Sequence, residues 1–308
     1  MDMLYSRDKI ILIICLLAVG ATCRAQYHPT YSQYMFNGLA LNPAYAGSNE
    51  SLNVALIYKS SQWGNSVDGA PVTQTVVGDF PLDKPQTSVG MMIFTDKILS
   101  IRTSGAYFAY SYHVKTNIGK LYLGMQAGFD LQNEDQSGHK LENPNDHLFT
   151  SGKNNNFMPN AGVGTYFYKS NFFAGISIPQ ILAYSPKKAD SYKVKPSLTN
   201  SKLLCGIVVP TPISLKIKPS TLVQFKGKNV LYDLNCNFAI FNEILEFGAS
   251  WRSSNTLVGL LQIRISQLRI GYAYDYALEK LEANNTTHEI MLRLDMRIRV
   301  KAASPLYF

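Results

Sequence analysis

The sequence predicts an all-β fold, a transmembrane antiparallel β-barrel of about 14 strands with an irregular N-terminal segment. Three observations carry this: a twelve-residue alternation near the C-terminus, similar long alternations recurring along the chain, and a leader of the kind that directs export.

In the clearest segment Ile290, Leu292, Leu294, Met296, Ile298 and Val300 alternate with Met291, Arg293, Asp295, Arg297, Arg299 and Lys301. A helix, turning 100° per residue, would scatter those charges around its circumference, whereas a strand puts them all on one face. The run also exceeds the roughly 5 to 6 residues of a soluble strand and suits the roughly 9 to 11 of a tilted membrane strand. Arg293, Arg297 and Arg299 are therefore expected to face the lumen.

The same period recurs where Ala106, Phe108, Tyr110, Tyr112 and Val114 share a face, and where Leu121, Leu123, Met125, Ala127, Phe129 and Leu131 oppose Tyr122, Gly124, Gln126, Gly128 and Asp130. Further strands are expected over Val230–Phe238, Leu245–Trp251, Leu257–Ile265 and Leu268–Tyr276. Less regular ones lie at Ser51–Lys59, Pro71–Phe80, Gln86–Thr95, Met158–Tyr168, Asn171–Ile178, Lys202–Val209 and Lys216–Lys226, which makes 14. Single-chain bacterial barrels have an even number.

Connection lengths give a check independent of hydropathy, because such barrels use short periplasmic turns and longer external loops. With a periplasmic N-terminus the odd-numbered connections are external, and the long ones fall there: Ser60–Ala70, Asn133–Phe157, Pro179–Ser201 and Leu278–Asn285. Even-numbered connections are short, as at Lys169–Ser170, Thr116–Ile118 and around Gln267.

Residues 1–25 read as a signal peptide: Arg7 and Lys9 precede the apolar run Ile10–Gly20, and a small-residue cleavage site ends at Ala25. That run is too short for a helical span, which needs about 20 residues. A lipoprotein signal modified at Cys23 is the alternative, with Gly20-Ala21-Thr22 a poor motif for it. Processing lowers the formal charge from +8 to +7, since Arg7, Lys9 and Arg24 leave with Asp2 and Asp8. The bases are spread along the chain, which argues against a nucleic-acid partner. The 19 Tyr and 15 Phe, with only 16% charged residues and no second long apolar run, exclude a helical membrane protein and fit strands that show one face to lipid. Residues 26–49 form a periplasmic or plug segment broken by Pro29 and Pro43, and residues 50–308 the barrel.

The segment Tyr31-Ser-Gln-Tyr-Met-Phe-Asn-Gly-Leu-Ala-Leu-Asn-Pro-Ala-Tyr-Ala-Gly47 resembles the N-terminal signature of the PorP/SprF family, outer-membrane proteins of the type IX secretion system and gliding machinery of Bacteroidota. Matching features follow in order: Gln62-Trp63, Asp96 after Gly90-Met-Met-Ile-Phe, Tyr110-Ser-Tyr-His113, Gly124 with Gly128, Gly248-Ala-Ser-Trp-Arg252, Gly271-Tyr-Ala-Tyr-Asp275 and His288-Glu-Ile290. The resemblance covers nearly the whole mature chain, with the PorP branch nearest. It implies an outer-membrane location and a non-enzymatic accessory role beside a separate translocon barrel. The implied partners are other secretion components, a peptidoglycan-binding periplasmic lipoprotein, and cargo carrying C-terminal sorting domains; some members present a surface adhesin. Tyr31, Gln33, Asn42, Pro43, Gly47, Trp63, Asp275, His288 and Glu289 are the candidate docking or family-signature residues.

Local chemistry weighs these positions differently. In Asn42-Pro-Ala-Tyr-Ala-Gly47, Pro43 restricts Asn42 to extended backbone and Gly47 can take positive φ, so a turn or plug role stands beside periplasmic docking. His288 and Glu289 are strand neighbours that point to opposite faces and cannot converge on one ion, and the five histidines show no ligand spacing. The loop Asn133–Phe157 is acidic without the order of a calcium loop. Trp63 and Trp251 suit the aromatic girdles of a barrel. Cys205 and Cys236 are in phase with Ile207 and Leu234, hence lipid-facing and too far apart to bridge. No cofactor or metal site is expected, and no nucleophile–base pairing supports an enzyme. A passive channel or hydrophobic-solute transporter is the alternative function, because about 14 strands enclose a lumen that needs filling.

Overall fold

The computed structural model describes residues 29–61, 69–82, 86–135, 153–187, 191–198, 200–227, 229–279 and 285–296. The first strands are β1 (Leu52–Ser60), β2 (Val72–Pro81), β3 (Thr87–Ile98), β4 (Ile101–Thr116), β5 (Gly119–Asp135), β6 (Lys153–Lys169) and β7 (Phe172–Ile178). A hairpin of β8 (Leu182–Lys187) and β9 (Ser191–Pro196) forms a separate two-stranded sheet. The remainder are β10 (Lys202–Ile207), β11 (Val209–Pro210), β12 (Lys216–Lys226), β13 (Asn229–Ile240), β14 (Leu245–Arg252), β15 (Thr256–Ile265), β16 (Leu268–Ala277) and β17 (Thr286–Met296). With β11 continuing β10 along the same partner, these strands make a closed antiparallel barrel of 14. It closes twice over: β1 pairs with β17 over nine residues, and β10 bridges β7 and β12.

Alternation decides which face meets lipid. Phe108, Tyr110, Tyr112 and Val114 point out and are exposed, while Tyr107, Ala109 and Ser111 point in and are buried. On β5, Leu123 and Met125 are exposed and Tyr122, Gln126 and Asp130 buried. Exposed aromatic side chains gather toward both ends of the wall. Tyr58, Tyr232, Trp251, Tyr274 and Tyr276 lie toward the long-loop end, and Phe80, Tyr112, Tyr168 and Phe172 toward the short-turn end. Rings at those levels keep their bodies in the apolar boundary and their polar edges in water. Cys205 and Cys236 are free thiols on the outward face, two strands apart.

Each expected strand is present, and the differences lie at the ends. The connection expected over Asn133–Phe157 is narrower, because β5 runs to Asp135 and β6 starts at Lys153, so backbone pairing continues into the polar stretch. Within the expected loop Pro179–Ser201, β8 and β9 pair with each other. Lys202–Val209 is divided at Val208, whose N–H donates to the Asn171 carbonyl at the end of the β7 ladder, just ahead of Pro210 and Pro212. Arg293 faces inward, while Arg297 and Arg299 lie outside the described residues.

Candidate functional site: the filled lumen

Residues 29–50 are packed against the inward face of the barrel rather than lying free at a rim. They form three 3-10 turns, Tyr34–Phe36, Gly38–Ala40 and Pro43–Tyr45. Short turns suit a sequence that Pro29 and Pro43 keep from a longer helix. Tyr31, Tyr34, Leu39, Ala40, Leu41 and Ala46 join Ile57, Val77, Phe94, Tyr107, Leu222 and Met291 in one buried cluster, so the plug supplies the hydrophobic core of the barrel interior.

Its upper part is held by acids. Glu289 accepts the backbone N–H groups of Ser32 and Gln33 through separate oxygens, at 2.8 and 2.9 Å, and is fully buried. Hydrogen bonds to a charged acceptor contribute about 1.5–3 kcal/mol each, and an unpaired buried N–H would cost a comparable amount. Ser32 Oγ donates to Asp275 Oδ2 at 2.6 Å, and Tyr31 shares a hydroxyl contact with Thr75 at 2.9 Å. Lys59 Nζ lies 3.1 Å from Asp275 and 3.8 Å from Glu289, and donates to the Thr30 carbonyl at 3.0 Å. Arg252 lies 3.1 Å from Asp233 and 3.5 Å from Asp275. Buried charges need such mutual compensation, because desolvation of one alone costs several kcal/mol.

The lower part is fixed by turn chemistry. Asn42 is extended at φ −147°, and its Oδ1 caps the Ala44 N–H at 2.9 Å while its Nδ2 donates to the Thr165 carbonyl at 2.8 Å. Gly47 has φ +69°, and its N–H donates to Asp79 at 2.8 Å. Ser177 and Ser111 donate to the carbonyls of Leu41 and Ala46, each at 2.7 Å. Arg293 donates to the Phe36 carbonyl at 2.5 Å and to Asn53 at 3.1 Å, with Asp295 at 2.6 Å. Gly124 faces the turn so closely that a Cβ there would stand 2.2 Å from the Ala44 nitrogen. Below the turn Lys120 pairs with Glu50, and that hydrogen bond holds the Glu50 carboxyl below the usual carboxylate range.

The loop after β7 closes part of the other end. Gln126 donates to the Pro179 carbonyl at 2.8 Å, and Gln180 donates to Tyr107 and Asp130, each at 2.9 Å. A vestibule of about 620 Å3 remains at the long-loop end, bordered by Pro29, Thr30, Lys59, Lys226, Arg252 and Asp275.

Seven of the nine candidate residues thus belong to the plug and its seat: Tyr31 and Gln33 at its upper end with Asp275 and Glu289 on the wall, and Asn42, Pro43 and Gly47 at its lower end. His288 is not with them. It points outward, where its Nδ1 lies 2.8 Å from the Tyr272 hydroxyl and its ring packs edge-on against Tyr274. Trp63 lies outside the described residues. Lys59 and Asp79 are not singled out from sequence, and Arg252 enters there only within Gly248-Ala-Ser-Trp-Arg252; the signal of all three is a charged side chain on the face of a strand that alternation turns inward.

The fold and the filled interior define an outer-membrane β-barrel whose lumen is occupied by its own chain. Residues 23–294 match the type IX secretion system membrane protein PorP/SprF family, and the chain belongs to that family. Association with other type IX secretion components follows from membership, and neither family nor fold is that of an enzyme class. No curated protein matches the chain. Among solved structures it is similar to the CymD monoaromatic hydrocarbon channel, at 12% identity and a TM-score of 0.50, covering 84% of this chain and 91% of that one. It is also similar to the Acinetobacter baumannii outer membrane protein Omp33, at 10% identity and a TM-score of 0.47, covering 80% and 98%. The P. putida toluene transporter TodX gives 9% identity and a TM-score of 0.46, covering 90% and 94%. At such identities the likeness is one of fold.

Proposed function

We propose that this barrel is a non-conducting accessory of type IX secretion, docking other proteins at its two rims instead of passing cargo through its lumen. One observation carries the reading: the interior is filled by a segment of the same chain, with Tyr31, Tyr34, Leu39 and Leu41 each under 5% exposed. A folded cargo domain of 100 residues, about 26 Å across, has no room beside such a plug. The long loops then serve cargo with C-terminal sorting domains, and the short-turn rim serves a peptidoglycan-binding periplasmic lipoprotein. Both assignments, and placement in the PorP branch, rest on the sequence resemblance. In this reading Tyr31, Gln33, Asn42, Pro43, Gly47, Asp275 and Glu289 act by holding the plug, and not as an exposed docking surface.

Deletion of Tyr31 to Leu39 tests it. The expected result is a barrel that still inserts, conducts ions across a planar bilayer, and no longer supports secretion or surface retention of cargo. Unchanged export would overturn the proposal, as would crosslinking of cargo to the lumen-facing positions Gln126, Gln262 or Arg293.

A further inference from the structure

The plug has a direction. Thr30 contacts Lys59 near the end of β1 and Lys226 at the end of β12, and both ends lead into connections of the odd-numbered set. Ser32 and Gln33 sit beside Asp275 and Glu289, two and three residues from the same rim. Phe36 is lower, at Arg293. Gly47 meets Asp79 near the opposite end of β2, and Glu50 meets Lys120 at the start of β5, next to a two-residue turn. The chain therefore traverses the barrel lengthwise before β1 begins.

Its length agrees. Between Thr30 and Gly47, nine residues in 3-10 turns advance about 2 Å each and the rest about 3.4 Å. The resulting path of about 45 Å exceeds a hydrocarbon layer of roughly 30 Å.

The described connections give the rims their sides. The even-numbered set runs to five residues at most between barrel strands, apart from the break at Val208, whereas the odd-numbered set holds the long ones, including the one that carries β8 and β9. Long connections of a bacterial barrel lie outside the cell. We infer that the chain enters the lumen from the outer rim, so that Pro29 and Thr30, at the head of the plug, face the cell exterior through the vestibule. The short-turn rim then carries only the tail of the plug, Gly47 to Ser51. This rests on the orientation of the barrel and not on the docking role, so the two fail separately.

The experiment uses impermeant maleimide–polyethylene glycol on intact cells, in a Cys205→Ala/Cys236→Ala background. Single cysteines are placed by Thr30→Cys, Ser48→Cys and, as a loop control, Asn285→Cys. Thr30→Cys and Asn285→Cys should both shift on gels from intact cells, and Ser48→Cys only after the outer membrane is permeabilised. An epitope inserted directly ahead of Pro29 gives a second readout independent of thiol reactivity, and antibody should bind it on intact cells. The inference is overturned if the epitope is reached only after permeabilisation while Asn285→Cys labels on intact cells. Asn285→Cys labelling only after permeabilisation would overturn it as well, by inverting the barrel.

Discussion

At the scale of single residues, Glu289 is the side chain on which the upper plug depends, because its two oxygens satisfy two consecutive buried N–H groups. Glu289→Ala leaves both unpaired, at a cost of about 1–3 kcal/mol for each. Hydrogen exchange at Ser32 and Gln33 should then accelerate at least tenfold, roughly the effect of 1.4 kcal/mol, while amides of β5 and β6 keep their protection. Gly124 makes the matching statement for the lower plug. With no space between it and Ala44, Gly124→Val forces the turn away, and overpacking of that kind costs about 1–3 kcal/mol. Protease should then cut near Tyr45 in detergent-solubilised protein whose barrel still shows heat-modifiable migration; an uncut turn would count against the contact.

At the scale of elements, the register of β17 is testable by exchanging faces. Leu292→Arg, on the outward face opposite Leu56 at the middle of β1, places a cation on lipid at a cost of about 2–4 kcal/mol near the midplane, and should impair assembly on heat-modifiability gels. Arg293→Leu should leave assembly intact and loosen the plug at Phe36, read by faster proteolysis of the segment. Equal assembly of the two variants would contradict the register. This was the legible part of the molecule: a strand announces itself in every second residue, so β4, β5 and β17 were readable with their faces. The plug's bonds were not, since Ser32 finds partners 243 and 257 positions away and no local period encodes such pairings. Asn42 and Gly47 fall between these cases. Their backbone roles were readable from residue type, and their partners Thr165 and Asp79 were not. The β8–β9 hairpin was missed because a Pro- and Lys-rich stretch has little apolar alternation to reveal pairing.

At the scale of the whole molecule, plug and closure are linked. The upper plug is clasped by Lys59 on β1, Asp275 on β16 and Glu289 on β17, the strands on either side of the seam where the ends of the chain's wall meet. Barrel closure and plug seating should therefore be cooperative, and in refolding assays Glu289→Ala should slow the appearance of the heat-resistant form more than Gly124→Val does. The loop regions Asn133–Phe157 and Pro179–Ser201 should accept a short epitope at their tips and bind antibody on intact cells. Binding only after permeabilisation would reverse the topology.

The wall that holds this plug is of uneven height. β5 and β6 have 17 residues each, about 43 Å along the normal at 3.3 Å per residue and a tilt of roughly 40°, whereas the seven of β7 span only about 18 Å and β10 with its continuation β11 about 23 Å. An apolar belt of about 25 Å cannot be satisfied by the short side. Lipid is expected to thin next to β7, and the elastic cost of that mismatch is relieved when another protein replaces lipid there. The membrane itself thus gives the barrel a preferred flank for a neighbour, set by strand length alone.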